Sequence, residues 1–140
     1  MNRKELAKFG EDLATRFLKH NDYKIIERNY HSIYGEIDII CKKDNQLIFV
    51  EVKARKSLKF GEALEAITEK KREKIIKTAY HFITKHQLDL SIRFDIITIQ
   101  YISKEKGYKF EHIKNAFLGT PIPAPFYQNI LPNNPTNWDQ

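Results

Sequence analysis

Cysteine, glycine and proline are all scarce in this 140-residue chain, and each scarcity excludes something. The lone Cys41 rules out an internal disulfide, and no Cys/His cluster suggests zinc. One thiol without a partner fits a reducing compartment. All five prolines fall between Pro121 and Pro135, so no proline interrupts a helix or strand before them. No apolar run approaches the roughly 20 residues that span a bilayer, so no membrane partner is expected. The opening Met-Asn-Arg-Lys-Glu lacks a hydrophobic signal region, from which a cytoplasmic protein is expected. No internal repeat and no second domain is visible.

What is there is basic. Twenty-four Lys and Arg against 18 Asp and Glu give a formal net charge of +6. Every Lys and Arg precedes Asn115, and the tail after it carries only Asp139. The part that folds is therefore more basic than the total. By length the chain is one domain, able to bury roughly two-thirds of its unfolded surface. That domain is expected over residues 1–117. Residues 118–140, rich in Asn and Pro, are expected to be extended or disordered, with an apolar knot at Phe126-Tyr127 and Ile130-Leu131.

Periodicity places the elements. Leu6, Phe9, Leu13, Ala14, Phe17 and Leu18 recur at helical spacing and predict a helix from Arg3 to His20. Gly10 inside it costs about 1 kcal/mol against Ala, and would let a strand or a ligand approach closely. Strands are expected over Lys24–Asn29, Tyr34–Cys41, Leu47–Lys53 and Ile92–Tyr101, with an edge strand over Tyr108–Lys114. Thr68 is a plausible N-cap for a helix reaching about Lys85. The first turns of that helix hold Lys70, Lys71, Arg72 and Lys74. Cations there oppose the macrodipole, so a nearby polyanion or acidic site must favour them. Arg93 and Asp95 share a strand face and read as a structural pair. His31, His81 and His112 lack ligand spacing and receive no role.

The chemistry gathers at one hairpin. Asp44-Asn45 suits a two-residue turn, since both residue types tolerate positive φ. Pairing outward from it sets Asp38 opposite Glu51 and Glu36 opposite Lys53. Ile37, Ile39, Cys41, Ile48, Val50 and Val52 would project to the other face. Phe49 and Ile40 share the face of the acids, so that face is partly buried. Opposed carboxylates repel, and a shared proton or a bound cation relieves the repulsion. Hard oxygen ligands of this kind suit Mg²⁺ or Mn²⁺, and a lysine beside them suits attack on a phosphodiester. Glu11, at the margin of the first helix's apolar stripe, can look inward along the rim of the core. The basic loop after Lys53 supplies Arg55, Lys56 and Lys59 as candidate phosphate contacts.

These residues carry a resemblance. Gly10-Glu11, Gly35-Glu36-Ile37-Asp38, Phe49-Val50-Glu51-Val52-Lys53-Ala54-Arg55, Phe60-Gly61, Arg93-Phe94-Asp95 and Asn115-Ala116-Phe117 are similar, in order, to the YraN-like uncharacterised bacterial family. That family resembles the PD-(D/E)XK nuclease superfamily, and within it the archaeal Holliday-junction resolvases. The resemblance implies an α/β, restriction-endonuclease-like fold, a mixed central sheet flanked by helices. It implies Asp38, Glu51 and Glu11 as Mg (or Mn) ligands and Lys53 as the residue that positions or activates the attacking water. It implies Lys70 or Lys71 as an extra polar residue of the site, and a homodimer among the possible states. Ile37 stands where the superfamily's name-giving proline would be. The expectation is a Mg-dependent endodeoxyribonuclease acting on DNA, branched or structured DNA included. The alternative is a non-catalytic nucleic-acid-binding module of the same fold.

Overall fold

The structure is a computed structural model, and it describes residues 1–56 and 67–119. Helix α1 (Arg3–His20) opens the chain, followed by β1 (Lys24–Ser32), β2 (Gly35–Lys43) and β3 (Gln46–Arg55). Helix α2 (Glu69–His86), β4 (Ser91–Ser103) and β5 (Gly107–Phe117) complete the domain. The strands form one five-stranded sheet in the order β1-β2-β3-β4-β5. Only β3 and β4 run parallel, and α2 is carried in their crossover. Among the described residues the architecture is thus a mixed α/β domain with one helix on each face of the sheet. Among the described residues no helix is long and apolar enough to cross a membrane.

Local signals explain each helix end. Asn2 caps α1 by accepting from Glu5 N–H at 2.8 Å. Thr68 caps α2 by accepting from Lys71 N–H at 3.1 Å. Gln87, in the left-handed region at φ 50°, closes α2. Asp44, at φ 53°, makes the β2–β3 turn, and the strands then pair from Lys43↔Gln46 to Ile39↔Val50 in the expected register.

Strand alternation divides the core into two layers. On the α1 side lie Ile39, Cys41, Ile48, Val50, Ala54, Ile97 and Ile99 with Leu6, Ala14 and Leu18 of the helix. Burial pushes the Cys41 thiol up to about 12, so it behaves as a small apolar residue. On the α2 side lie Ile40, Leu47, Phe49, Phe94 and Ile96 with Ile75, Ile76, Ala79, Phe82 and Ile83. Phe49, Phe94 and Phe117 stack in series, with ring centroids 5.6 and 5.0 Å apart. Ile37 departs from the expected face. It packs with Tyr30 and Ile40 on the α2 side, away from Ile39. The switch falls where Asn29 takes φ 53° in the neighbouring strand, between the pairs Arg28↔Ile39 and Tyr30↔Ile37. That local turn breaks the two-residue period in both strands.

A second polar cluster ties the sheet's far edge together. Asp95, 1% exposed, takes two hydrogen bonds from Arg93, both at 2.8 Å, and one from the Asn115 N–H at 2.9 Å. His112 Nε2 stands 2.8 Å from the same carboxylate, and Tyr23 OH accepts from Arg93 at 3.0 Å. These bonds hold the Asp95 carboxyl below its ordinary value although burial alone would raise it. The expected Arg93–Asp95 pair is therefore structural. His112 does have a part, as the partner that bridges β5 to it.

Gly10 is explained by β3. A Cβ there would stand 2.7 Å from the Ala54 Cβ and 3.3 Å from Ile99 Cδ1. The helix lies so close to the strand that only hydrogen fits. Gly10→Ala should therefore destabilise the fold by about 1–3 kcal/mol through overpacking, outweighing the roughly 1 kcal/mol gain in helix propensity. Urea unfolding of the variant checks this; an unchanged or raised midpoint would mean that α1 can lift away at no cost.

Candidate active site

Alternation on β3 carries the site. Val50, Val52 and Ala54 point toward α1, so Glu51 and Lys53 point to the α2 side, continuing the row begun by Leu47 and Phe49. Beyond Ile39↔Val50 the backbone ladder stops. There the Asp38 side chain takes over, its Oδ2 accepting the Val52 N–H at 2.8 Å. That bond holds Asp38 against β3, where the Glu51 charge bears on it, although the register itself has ended one pair earlier. Glu36 is not set against Lys53. It stays exposed and faces His31 at 3.1 Å, because the β2–β3 ladder has ended before reaching it.

Helix α2 closes the site from above. Lys71 Nζ lies 3.2 Å from Glu51 Oε1, and Lys53 Nζ lies 3.4 Å from the same oxygen. This answers the puzzle of cations at the helix start: Lys71 is drawn by the Glu51 charge. Lys70, one position along, is exposed to solvent. Arg72 turns instead to the Phe117 ring, 5.6 Å from its centroid. Of the helix lysines named as candidates, Lys71 joins the site.

Glu11 approaches from the other helix. It is one-fifth exposed, and its charge bears on Asp38. Arg28 on β1 stands 3.8 Å from Glu11 Oε2 and 2.8 Å from Asp12 Oδ1. Arg28 is a member of the site that sequence reasoning missed. A lone arginine on an outer strand gives no local sign that α1 will present two acids to it.

The electrostatics follow from crowding. Burial, then the charges of Glu51 and Glu11, push the Asp38 carboxyl up to about 8, against the Val52 N–H and Lys53, which lower it. Burial also lowers Lys53, and contact with Lys71 lowers it further, although Glu51 pulls the other way. Burial would lower Lys71 too, but its contacts with Lys53 and Glu51 raise it. Of these two lysines, Lys53 is the one moved toward a neutral amine, which can accept a proton.

Three acids and three cations are thus brought together: Glu11, Asp38 and Glu51 with Arg28, Lys53 and Lys71. Among the described residues no three acidic, histidine or cysteine side chains stand in a metal-ligating cluster. The donor chemistry of Asp38 and Glu51 nonetheless fits a hard cation. Both are carboxylates, and Asp38 is held away from its charged form by burial and like charge. Arg55 and Lys56 lie exposed at the end of β3. Lys59, Phe60-Gly61 and the tail knot at Phe126-Tyr127 and Ile130-Leu131 lie outside the described residues.

A mixed α/β domain with a partly buried acid–lysine site is the class of protein these features define. The chain belongs to the Uncharacterised protein family UPF0102, which matches residues 10–99. It is 45% identical over 118 residues to a UPF0102 protein of Clostridioides difficile, covering 84% of this chain and 100% of that one. It is 44% identical over 118 residues to a UPF0102 protein of Sulfurihydrogenibium, covering 84% and 97%. A third, from Dictyoglomus turgidum, is 42% identical over the same length, covering 84% and 100%. Glu11, Asp38, Glu51, Lys53 and Lys71 all lie inside the matched region.

The raised Asp38 carboxyl makes stability depend on pH. Asp38 holds its proton more tightly in the folded chain than in the unfolded one, where it titrates near 3.8. Its contribution therefore weakens the fold as pH rises from that value toward about 8. Asp38→Asn stays neutral throughout. In EDTA it should raise the unfolding midpoint more at about pH 8 than at about pH 5. An equal shift at both would mean that Asp38 is already ionised at the lower pH.

Proposed function

We propose that this protein is a metal-dependent endonuclease that hydrolyses phosphodiester bonds in DNA, branched or structured DNA included, on a restriction-endonuclease-like fold. The observation that carries the reading is the meeting of Asp38, Glu51 and Lys53 in one buried spot. Buried like charges are unfavourable without a partner, so an arrangement that gathers them argues for a use. Glu11 on the first helix, at the position that the PD-(D/E)XK resemblance assigns to a third acid, supports it. So does the net positive charge of the chain, which would draw in a polyanion.

Asp38 and Glu51 would hold Mg²⁺ or Mn²⁺, with Glu11 completing the set. Bound there, the ion would polarise the scissile phosphate and acidify a water. Asp38 is steadied for that task by the Val52 N–H. Lys53, with its ammonium destabilised by burial, would orient the water and take its proton. The water oxygen then bonds to phosphorus as the opposite P–O bond breaks, and the leaving oxygen takes a proton from solvent. Lys71 would offset charge that develops on the phosphate. By resemblance to the superfamily, the product end carries a 5′-phosphate.

One observation favours the second reading, a non-catalytic nucleic-acid-binding module. Glu11 and Glu51 are each met by cations of the chain itself, Arg28 for the first and Lys53 with Lys71 for the second. The two readings separate on cleavage. Asp38→Ala or Glu51→Ala should abolish Mg²⁺-dependent cutting of a DNA panel while metal-free DNA binding stays within a few-fold of wild type. Wild-type cutting by either variant would sink the site assignment.

A further inference from the structure

A cleft of about 330 Å³ opens where α1 begins and β3 ends. Arg3, Arg55 and Lys56 line it, over an apolar floor of Met1, Leu6 and Ala54. No acid lines it. Among the described residues none of the three cations is ion-paired with a carboxylate, and the Arg55 guanidinium donates to the adjoining Ala54 carbonyl at 3.1 Å. Some cations elsewhere on the domain are ion-paired: Lys8 to Asp12, Arg28 to Glu11 and Asp12, Lys77 to Glu73, Arg93 to Asp95. The start of α1 adds to the positive potential. Asn2 caps the Glu5 N–H, which leaves the N–H groups of Arg3 and Lys4 outside the helix's own bonding pattern.

Volume and lining together suit a ligand with a charged head and an apolar body. Cavities of about 300 Å³ stand at the lower end of small-ligand sites.

We propose that this cleft is a binding subsite for one phosphate of a nucleic-acid strand, with the apolar floor against its sugar. Arg3 and Arg55 grip the phosphate and Lys56 closes the rim. The subsite deepens the proposed function, since it rests on the chain acting on nucleic acid. It does not require that the strand be cut.

The test is metal-free binding of a fluorescein-labelled DNA duplex to the full chain, followed by polarisation in EDTA across a salt series. The double variant Arg3→Ala/Arg55→Ala should lower the slope of log K against log salt by about 0.9, the value of one phosphate contact on duplex DNA, and each single variant by part of that. Lys85→Ala, in the last turn of α2, removes the same charge from an exposed position and should leave the slope unchanged. All three side chains are exposed, and circular dichroism checks that each variant folds. Unchanged slopes in the arginine variants, an equal drop with Lys85→Ala, or no DNA binding by the wild type would each overturn the proposal. Binding with the expected slopes but no cutting in Mg²⁺ would leave the subsite standing and remove the nuclease reading alone.

Discussion

Asp38 and Glu51 set against each other in a partly buried gap is the interaction on which the rest of the molecule turns. Two carboxylates there repel, and burial withholds the water that would screen them. The chain answers with its own cations and a proton. Lys53 and Lys71 both stand on one oxygen of Glu51, and the Asp38 carboxyl is pushed to about 8. Each compensation comes from a different element, so β2, β3 and α2 must all be in register for the site to exist.

That dependence explains features that look unrelated along the chain. Lysines crowd the start of α2 against its dipole because one of them reaches Glu51. Gly10 sits inside α1 because the helix must lie against Ala54, the residue after Lys53. β4 pairs with β3 along its whole length, Glu51 and Lys53 included, which steadies the strand where the β2 ladder has ended. The bidentate Arg93–Asp95 pair on β4, anchored by His112 and Asn115, fixes the neighbouring parallel strand. The site is supported by the sheet and roofed by one helix, while Glu11 arrives from the other.

Much of this was legible in the chain because local chemistry set it. Asp44-Asn45 specified the hairpin register as far as Ile39↔Val50, and the bond from Val52 N–H to Asp38 carries that acid into the range of Glu51. The helical stripe from Leu6 to Leu18 and the Thr68 cap marked both helices at or near their observed ends. Alternation on β3 placed Glu51 and Lys53 on the face of Phe49. What escaped depended on distant partners or on a break in period. Ile37 changes face because Asn29 takes a left-handed conformation in the adjoining strand. Glu36 misses Lys53 because the ladder ends where the Asp38 carboxylate replaces a backbone partner. Arg28, Tyr23 and His112 acquire partners 16 to 70 residues away in sequence, at separations where spacing rules carry no information. Among the lysines of α2, only the turn of the helix over the sheet selects Lys71 above Lys70.

The central claim is that Asp38 and Glu51 hold a divalent cation for phosphodiester cleavage. Calorimetric titration of Mn²⁺ and Mg²⁺ into the wild type and into Asp38→Asn tests it most directly, paired with linear, flapped, four-way-junction and single-stranded DNA as substrates. The account predicts metal binding that is lost in the variant, and metal-dependent cutting of at least one substrate by the wild type. A wild type that binds no metal yet binds DNA in a salt-sensitive way would contradict it, leaving the paired acids and lysines as the structural core of a binding module.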